Sequence, residues 1–222
     1  MNQRILIFLI FLVTGIGLQA QRIAVKVGGG LSSHYDHSTA VGAFRIGLGY
    51  EYELNNNWSV EPGIAFYAKG WKDPNQIVFM RDWEGNLIFD EEGNALTGVK
   101  NCSSKANYIE VPVLFNYYLE TKSMQYIVLT AGPYMAYGVG GKMETKGDTD
   151  QEGSDRYYYA KKTFDEEGAH RFDAGLSVGI SYEFGRQFTV GVQGDFGLTK
   201  FNRNGDRNIS GLLTLSYRLR VD

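Results

Sequence analysis

Cysteine is nearly absent from this 222-residue chain: Cys102 stands alone, so no internal disulfide can staple the fold. Proline is scarce, with four residues, while glycine is abundant, with 28. Together with an aromatic content of 14%, that balance favours strands carrying many small-residue positions over helices. Runs of basic residues are missing: 22 Lys and Arg are scattered among 25 Asp and Glu, for a formal net charge of −3. Nothing tracks a phosphate backbone, and nucleic acid is excluded as an expected partner. No long apolar run follows residue 20, which rules out a helical membrane bundle. A hydrophobic content of 43% is nonetheless ample for a packed structure, so a disordered chain is excluded, and the length fits one domain.

The one apolar run lies at the start. Arg4 precedes an apolar stretch over 5–18, and Leu18-Gln19-Ala20 ends it before Gln21. The stretch is too short to span a bilayer and carries a small residue where a signal peptidase would cut. Residues 1–20 are therefore expected to be a cleaved export signal and 21–222 the mature domain.

The remainder alternates with period two. Ile209, Gly211, Leu213, Leu215, Tyr217, Leu219 and Val221 alternate with Ser210, Leu212, Thr214, Ser216, Arg218 and Arg220. The same pattern runs through 187–199 and 171–183. Working backwards adds strands near 124–142, 106–119, 58–71, 43–54 and 22–32, which makes eight. About 25 residues per strand and connection suits antiparallel neighbours. The connections alternate too: 33–42, 72–105, 143–168 and 202–207 are longer, whereas 55–57, 120–123 and 185–186 are tight. Such asymmetry is the mark of barrels in outer membranes, with short turns on the periplasmic side and long loops outside.

Which face is wet separates a membrane barrel from a soluble barrel holding an apolar ligand. The less apolar set contains Lys26, Arg45, Glu51, Glu61, Lys69, Glu110, Arg171, Asp173, Glu183, Asp195, Arg218 and Arg220, interleaved with Gly28, Gly47, Gly49, Gly63, Gly175 and Gly191. Both signs of charge mixed with the smallest residue suit a crowded lumen in which charges pair and glycines relieve crowding. Tyr50, Tyr52, Trp58, Tyr117, Tyr182, Phe184, Phe188 and Tyr217 fall near the tight-turn ends, where an interfacial aromatic girdle sits. The reading is an all-β, eight-stranded, antiparallel up-and-down transmembrane barrel with a filled, charged lumen. Eight strands leave no room for an open solute channel.

The chain resembles the PorT-like family of small outer-membrane β-barrels. Tyr108-Ile109-Glu110-Val111-Pro112-Val113-Leu114 is similar to the family's Tyr-x-Glu-x-Pro strand, and Thr130-Ala131-Gly132-Pro133-Tyr134 to its Gly-Pro-Tyr strand. Less specific are Gly28-Gly29-Gly30-Leu31-Ser32, Phe172-Asp173-Ala174-Gly175-Leu176 and 191–198. The resemblance implies fold and an outer-membrane location in a Gram-negative cell, with membrane lipid and the barrel-assembly machinery as partners. It does not carry over the secretion role for which the family is named.

Candidate sites sit in the long connections. Asp148, Asp150 and Glu152 before Gly153 begin like a calcium loop, but Tyr159 occupies the twelfth position where a bidentate Glu belongs. An acidic solvated loop is the expectation, with no metal and no cofactor. Ser32 or Ser33 beside His34 or His37 raises the alternative of a lipid-modifying barrel enzyme, while His170 lies in another loop; no third orienting group is spaced to complete a triad, so the chain is not expected to be an enzyme. Glu84-Gly85-Asn86 and Glu92-Gly93-Asn94 repeat between β-prone runs, 77–79 and 87–89, and read as hairpin corners carrying the wall outward. Tyr157-Tyr158-Tyr159 reads as a strand extension above the bilayer, or else as a sticky binding tip. A protein partner is expected at these loops. The competing function is a soluble periplasmic ligand-binding barrel.

Overall fold

A computed structural model of the chain describes residues 21–35, 38–82, 84–122, 124–147, 157–202 and 206–221. Residues 1–20, His37 and the Asp148, Asp150 and Glu152 loop lie outside them. Ten strands follow in order: β1 Gln21–His34, β2 Val41–Glu53, β3 Trp58–Lys72, β4 Gln76–Phe79, β5 Thr97–Lys122, β6 Gln125–Gly147, β7 Tyr157–Lys162, β8 Phe172–Phe184, β9 Phe188–Gly197 and β10 Asn208–Val221. A single 3-10 turn, Thr163–Asp165, follows β7.

Eight of these strands close into a ring. Sequential antiparallel pairing runs β1, β2, β3, β5, β6, β8, β9, β10, and β1 then pairs β10 from Gln21 opposite Val221 to His34 opposite Asn208. Closure removes the open edge that an eight-stranded sheet would otherwise expose. The tight turns use backbone conformations that only a few residues tolerate. Gly185 and Arg186 both have positive φ (58° and 57°) in the three-residue connection between paired Phe184 and Phe188, where the Gln187 amide donates to the Phe184 carbonyl at 3.1 Å. At the β2–β3 turn the Asn55 side chain accepts hydrogen bonds from the amides of Asn57 and Trp58, each at 2.9 Å.

Period two becomes inside and outside across the wall. Leu213, Leu48, Ile64, Val178, Ile180 and Val190 stand exposed on the outer face, while their neighbours turn inward. These side chains, with Leu213 at 70% exposed, form a contiguous apolar face around the ring, as a lipid-facing wall does. The expected girdle is made of four ring pairs at the tight-turn end: Tyr50 with Tyr52, Trp58 with Tyr117, Tyr182 with Phe184 and Phe188 with Tyr217, with centroids 4.6 to 4.8 Å apart.

Two strands depart from the sequence expectation. β5 and β6 have 26 and 23 residues, well beyond the expected 106–119 and 124–142. A tilted transmembrane strand needs about 9–11 residues, so both rise far above the bilayer. The reason is that the long connections supply their own partners: β4 pairs the outer end of β5 and β7 the outer end of β6.

Candidate functional site

The lumen is filled in three layers. Nearest the tight turns, Arg218 lies 3.0 Å from Glu51, 2.5 Å from Glu183 and 3.6 Å from Glu61. Arg22 reaches Glu51 at 3.2 Å, Glu183 at 3.3 Å and Glu53 at 3.4 Å, and Lys26 pairs Glu61. The Ser59 and Tyr118 hydroxyls donate to Glu51. Three cations thus face three buried carboxylates, with Glu53 at the rim. Gly49 makes this packing possible, since a Cβ there would meet the Glu61 carboxylate at 2.3 Å.

The middle layer carries two cations and three carboxylates. Arg45 lies 2.7 Å from Glu110 and 3.8 Å from Asp195; Lys69 lies 3.1 Å from Asp173 and 3.7 Å from Glu110. Lys69 is also caged by the rings of Tyr67, Tyr134 and Tyr108, at 4.6, 4.7 and 5.4 Å. Asp173 accepts from Thr199 and Asn208, both at 3.0 Å, and Asp195 from Ser177 at 2.5 Å and Gln193 at 3.0 Å. Glu110 accepts no directed hydrogen bond among the described residues and relies on its two cations.

The outer mouth is closed by aromatics. Phe164, from the 3-10 turn, and Phe201, from the last connection, fold inward onto Trp71, Tyr108 and Tyr134. His34 stacks on Trp71 at 4.0 Å and meets Phe201 at 5.4 Å. The Phe164 ring occupies the space of a missing side chain at Gly138, where a Cβ would lie 2.1 Å from it. Beside Lys26 the void is about 40 Å³, and at the tight-turn end, beside Arg22, Glu53 and Arg186, voids of about 80 and about 210 Å³ remain.

Ten of the twelve charges that alternation assigns to the lumen therefore meet there. Arg171 donates to the Gly138 carbonyl at 3.0 Å beside Phe164, and Arg220 is exposed at the tight-turn end. Arg22 joins instead, at the very start of β1 where period two has no run behind it to read. The cap was missed as well; its only signal is aromatics inside polar connections. Ser and His are held apart. Ser32 Oγ donates to the Gly70 carbonyl at 2.9 Å, Ser33 Oγ bonds Ser38 Oγ at 2.7 Å, and the His34 ring is packed between Trp71 and Phe201.

Above the barrel, β4 and β7 flank the outer lengths of β5 and β6 as a projecting sheet. Two short hairpins extend it, with Arg81 opposite Leu87 and Phe89 opposite Ala95. They join β4 and β5 in a three-way junction: the Met80 amide donates to the Leu96 carbonyl, Leu96 to Ile88, and Ile88 to Met80, at 2.9, 2.8 and 3.0 Å. Each hairpin tip is tied by an aspartate. Asp82 accepts from the amides of Glu84 and Asn86, and Asp90 from those of Glu92 and Asn94, which holds both carboxyls below the usual carboxylate range.

Residues 17–203 match the family model described as the outer membrane protein beta-barrel domain, so the chain belongs to that family and is an outer-membrane protein. No curated protein matches the chain in sequence. Among solved structures it is similar to Ail, the attachment invasion locus protein of Yersinia pestis, at 13% identity over 91% of this chain and 100% of that one, with a TM-score of 0.42. Neisserial surface protein A is similar at 13% identity over 92% and 100%, with a TM-score of 0.44. The outer membrane enzyme PagL is similar at 12% identity over 88% and 99%, with a TM-score of 0.38.

Proposed function

We propose that this member of the outer membrane β-barrel family acts through the sheet it raises above the bilayer, as a surface binding protein anchored by a filled barrel. The observation that carries the reading is the three-layer closure of the lumen. Its buried ion pairs and aromatic cap fill the lumen, which supports looking for the functional chemistry in the projecting strands and hairpins. The Tyr108–Leu114 and Gly132-Pro133-Tyr134 motifs support placing it among the PorT-like barrels. The reading takes residues 1–20 as the export signal, and membrane lipid, the assembly machinery and a protein at the loops as partners. A lipid-modifying enzyme is less well supported, because the Ser32 hydroxyl is bonded to the Gly70 carbonyl in the wall and the His34 ring is stacked on Trp71.

The test has two arms. In planar bilayers the protein is expected to hold no steady conductance, and on intact cells a Glu91→Cys variant is expected to react with an impermeant maleimide. A stable channel, or a residue 91 that labels only after the cells are broken, overturns the proposal.

A further inference from the structure

The projecting sheet ends in an edge that natural sheets usually protect. β4 is the first strand of the ten-stranded order, and β5 is its only neighbour among the described residues. Edge strands are commonly blunted by Lys, by Pro or by a bulge. Gln76-Ile77-Val78-Phe79 has none of these. Met80 donates its amide to Leu96, so by the alternation of an antiparallel ladder Ile77 and Phe79 turn their amides toward the free side. Their side chains are exposed as well, Ile77 at 72% and Phe79 at 54%.

Lipid does not cover these side chains. The 15 residues of β3 start at the girdle and, at about 3.3 Å per residue and a tilt of about 40°, rise about 35 Å. The apolar band of such a barrel is about 25 Å tall, and β4 begins beyond the top of β3. Charge narrows the occupant further. The two hairpins between β4 and β5, residues 81–95, carry five acidic side chains, Asp82, Glu84, Asp90, Glu91 and Glu92, against one basic, Arg81, while Lys100 lies opposite Gln76 at the other end of β4.

A second copy of this chain fits poorly. Pairing β4 with β4 would bring two sets of five acids together. Pairing β4 of one copy with β7 of the next would repeat every four strands, about 19 Å, whereas an eight-stranded barrel is about 26 Å across with its side chains. An anionic headgroup surface is disfavoured by the same five acids.

We infer that the β4 edge is a docking strand for an extended segment of a partner protein in which basic residues alternate with apolar ones. Main-chain hydrogen bonds would add the segment beside β4, its apolar side chains would cover Ile77 and Phe79, and its cations would face the acidic tips. This rests on the surface-binding reading and names the chemistry of the partner.

The probe is a fluorescent Lys-Val-Lys-Val-Lys-Val-Lys peptide, titrated against the full mature chain in neutral phosphocholine nanodiscs. Binding is expected to weaken at least tenfold between 50 and 300 mM salt. It is expected to weaken at least tenfold again in a Glu84→Lys/Glu91→Lys/Glu92→Lys variant whose heat-shifted gel mobility shows it folded. A peptide N-methylated at alternate amides, which cannot complete a ladder, should not bind. Equal binding by the methylated peptide, equal binding by the triple variant, or no binding at millimolar peptide overturns the inference. Conductance and maleimide labelling report separately on the surface-binding reading, so the two failures are distinguishable.

Discussion

The lower lumen layer makes a quantitative demand on any variant that removes one of its cations. Arg218 contacts Glu51, Glu61 and Glu183, and each of these carboxylates is at most 2% exposed. In an Arg218→Met chain only Arg22 and Lys26 remain to face three carboxylates, and Lys26 reaches only Glu61 of the three. Removing one partner of a buried pair costs about 3–5 kcal/mol, because the remaining charge is left without compensation. Combining Arg218→Met with Glu183→Gln restores the balance of two cations and two carboxylates. The double variant is therefore expected to recover part of the loss, even though it carries one more substitution. The assay is denaturant unfolding from lipid vesicles followed by tryptophan fluorescence, with Trp58 in the girdle as a reporter. The middle layer is the control. It already holds one carboxylate more than its cations, and Glu110 has no directed hydrogen bond, so Glu110→Gln is expected to cost under about 1 kcal/mol or to stabilise. If Arg218→Met costs under about 1 kcal/mol, or the double variant is worse than the single, the lumen is hydrated and its charges are not structurally paired.

Other outcomes follow from the wall, the cap and the tips. Leu213→Arg, on the lipid face, is expected to cost about 2–4 kcal/mol in the same unfolding assay; a silent substitution there would invert inside and outside. Gly138→Ala places a methyl against the Phe164 ring and is expected to displace the cap, raising planar-bilayer conductance or speeding proteolysis after residue 162; unchanged conductance and cleavage would remove the cap from its assigned role. The Asp82 and Asp90 carboxyls are depressed by the amides they accept, so the order they give the hairpin tips is full above the ordinary carboxylate range and fades as pH falls through their lowered values. Amide exchange at Asn86 and Asn94 should therefore stay slow from neutral pH to about pH 4, after correction for intrinsic rates, and lose its protection below that. Protection that vanishes above pH 5 would contradict the assignment.

Period two is legible wherever one face of a strand meets lipid and the other a crowded lumen, because each slip of one residue would exchange the two. That is why the strands of 171–183, 187–199 and 209–221 can be read to within a residue or two, and why the girdle residues can be named from their distance to the tight turns. The same logic sorts the lumen charges into one set without saying which meets which. Arg22 and Glu183 are 161 residues apart, and only ring closure and register bring them within 3.3 Å. Partner choice in the lumen is thus a property of the closed ring and not of any local segment.

Where no face is buried, alternation carries little information; the runs 77–79 and 157–159 mark β4 and β7, but the cap and the outer lengths of β5 and β6 go unread. Phe164 and Phe201 sit in polar connections, and their inward turn is set by the mouth they fill: Gly138 leaves a ring-sized gap and Trp71 offers an apolar floor. β4 is four residues long and is held by its ladder to Thr97-Gly98-Val99-Lys100 of β5, a segment that lies inside the connection 72–105 as read from the sequence. A ladder stabilised by its main chain tolerates almost any side chain, so that partner segment, with Gly98 and Lys100, leaves little trace in composition even though 77–79 is β-prone. What the sequence does display there is a double Gly-Asn corner with two acidic tips. Such tips do nothing for a lipid-facing wall and are costly near like charge, so the proposed docking of a basic segment rests on them together with exposed Ile77 and Phe79.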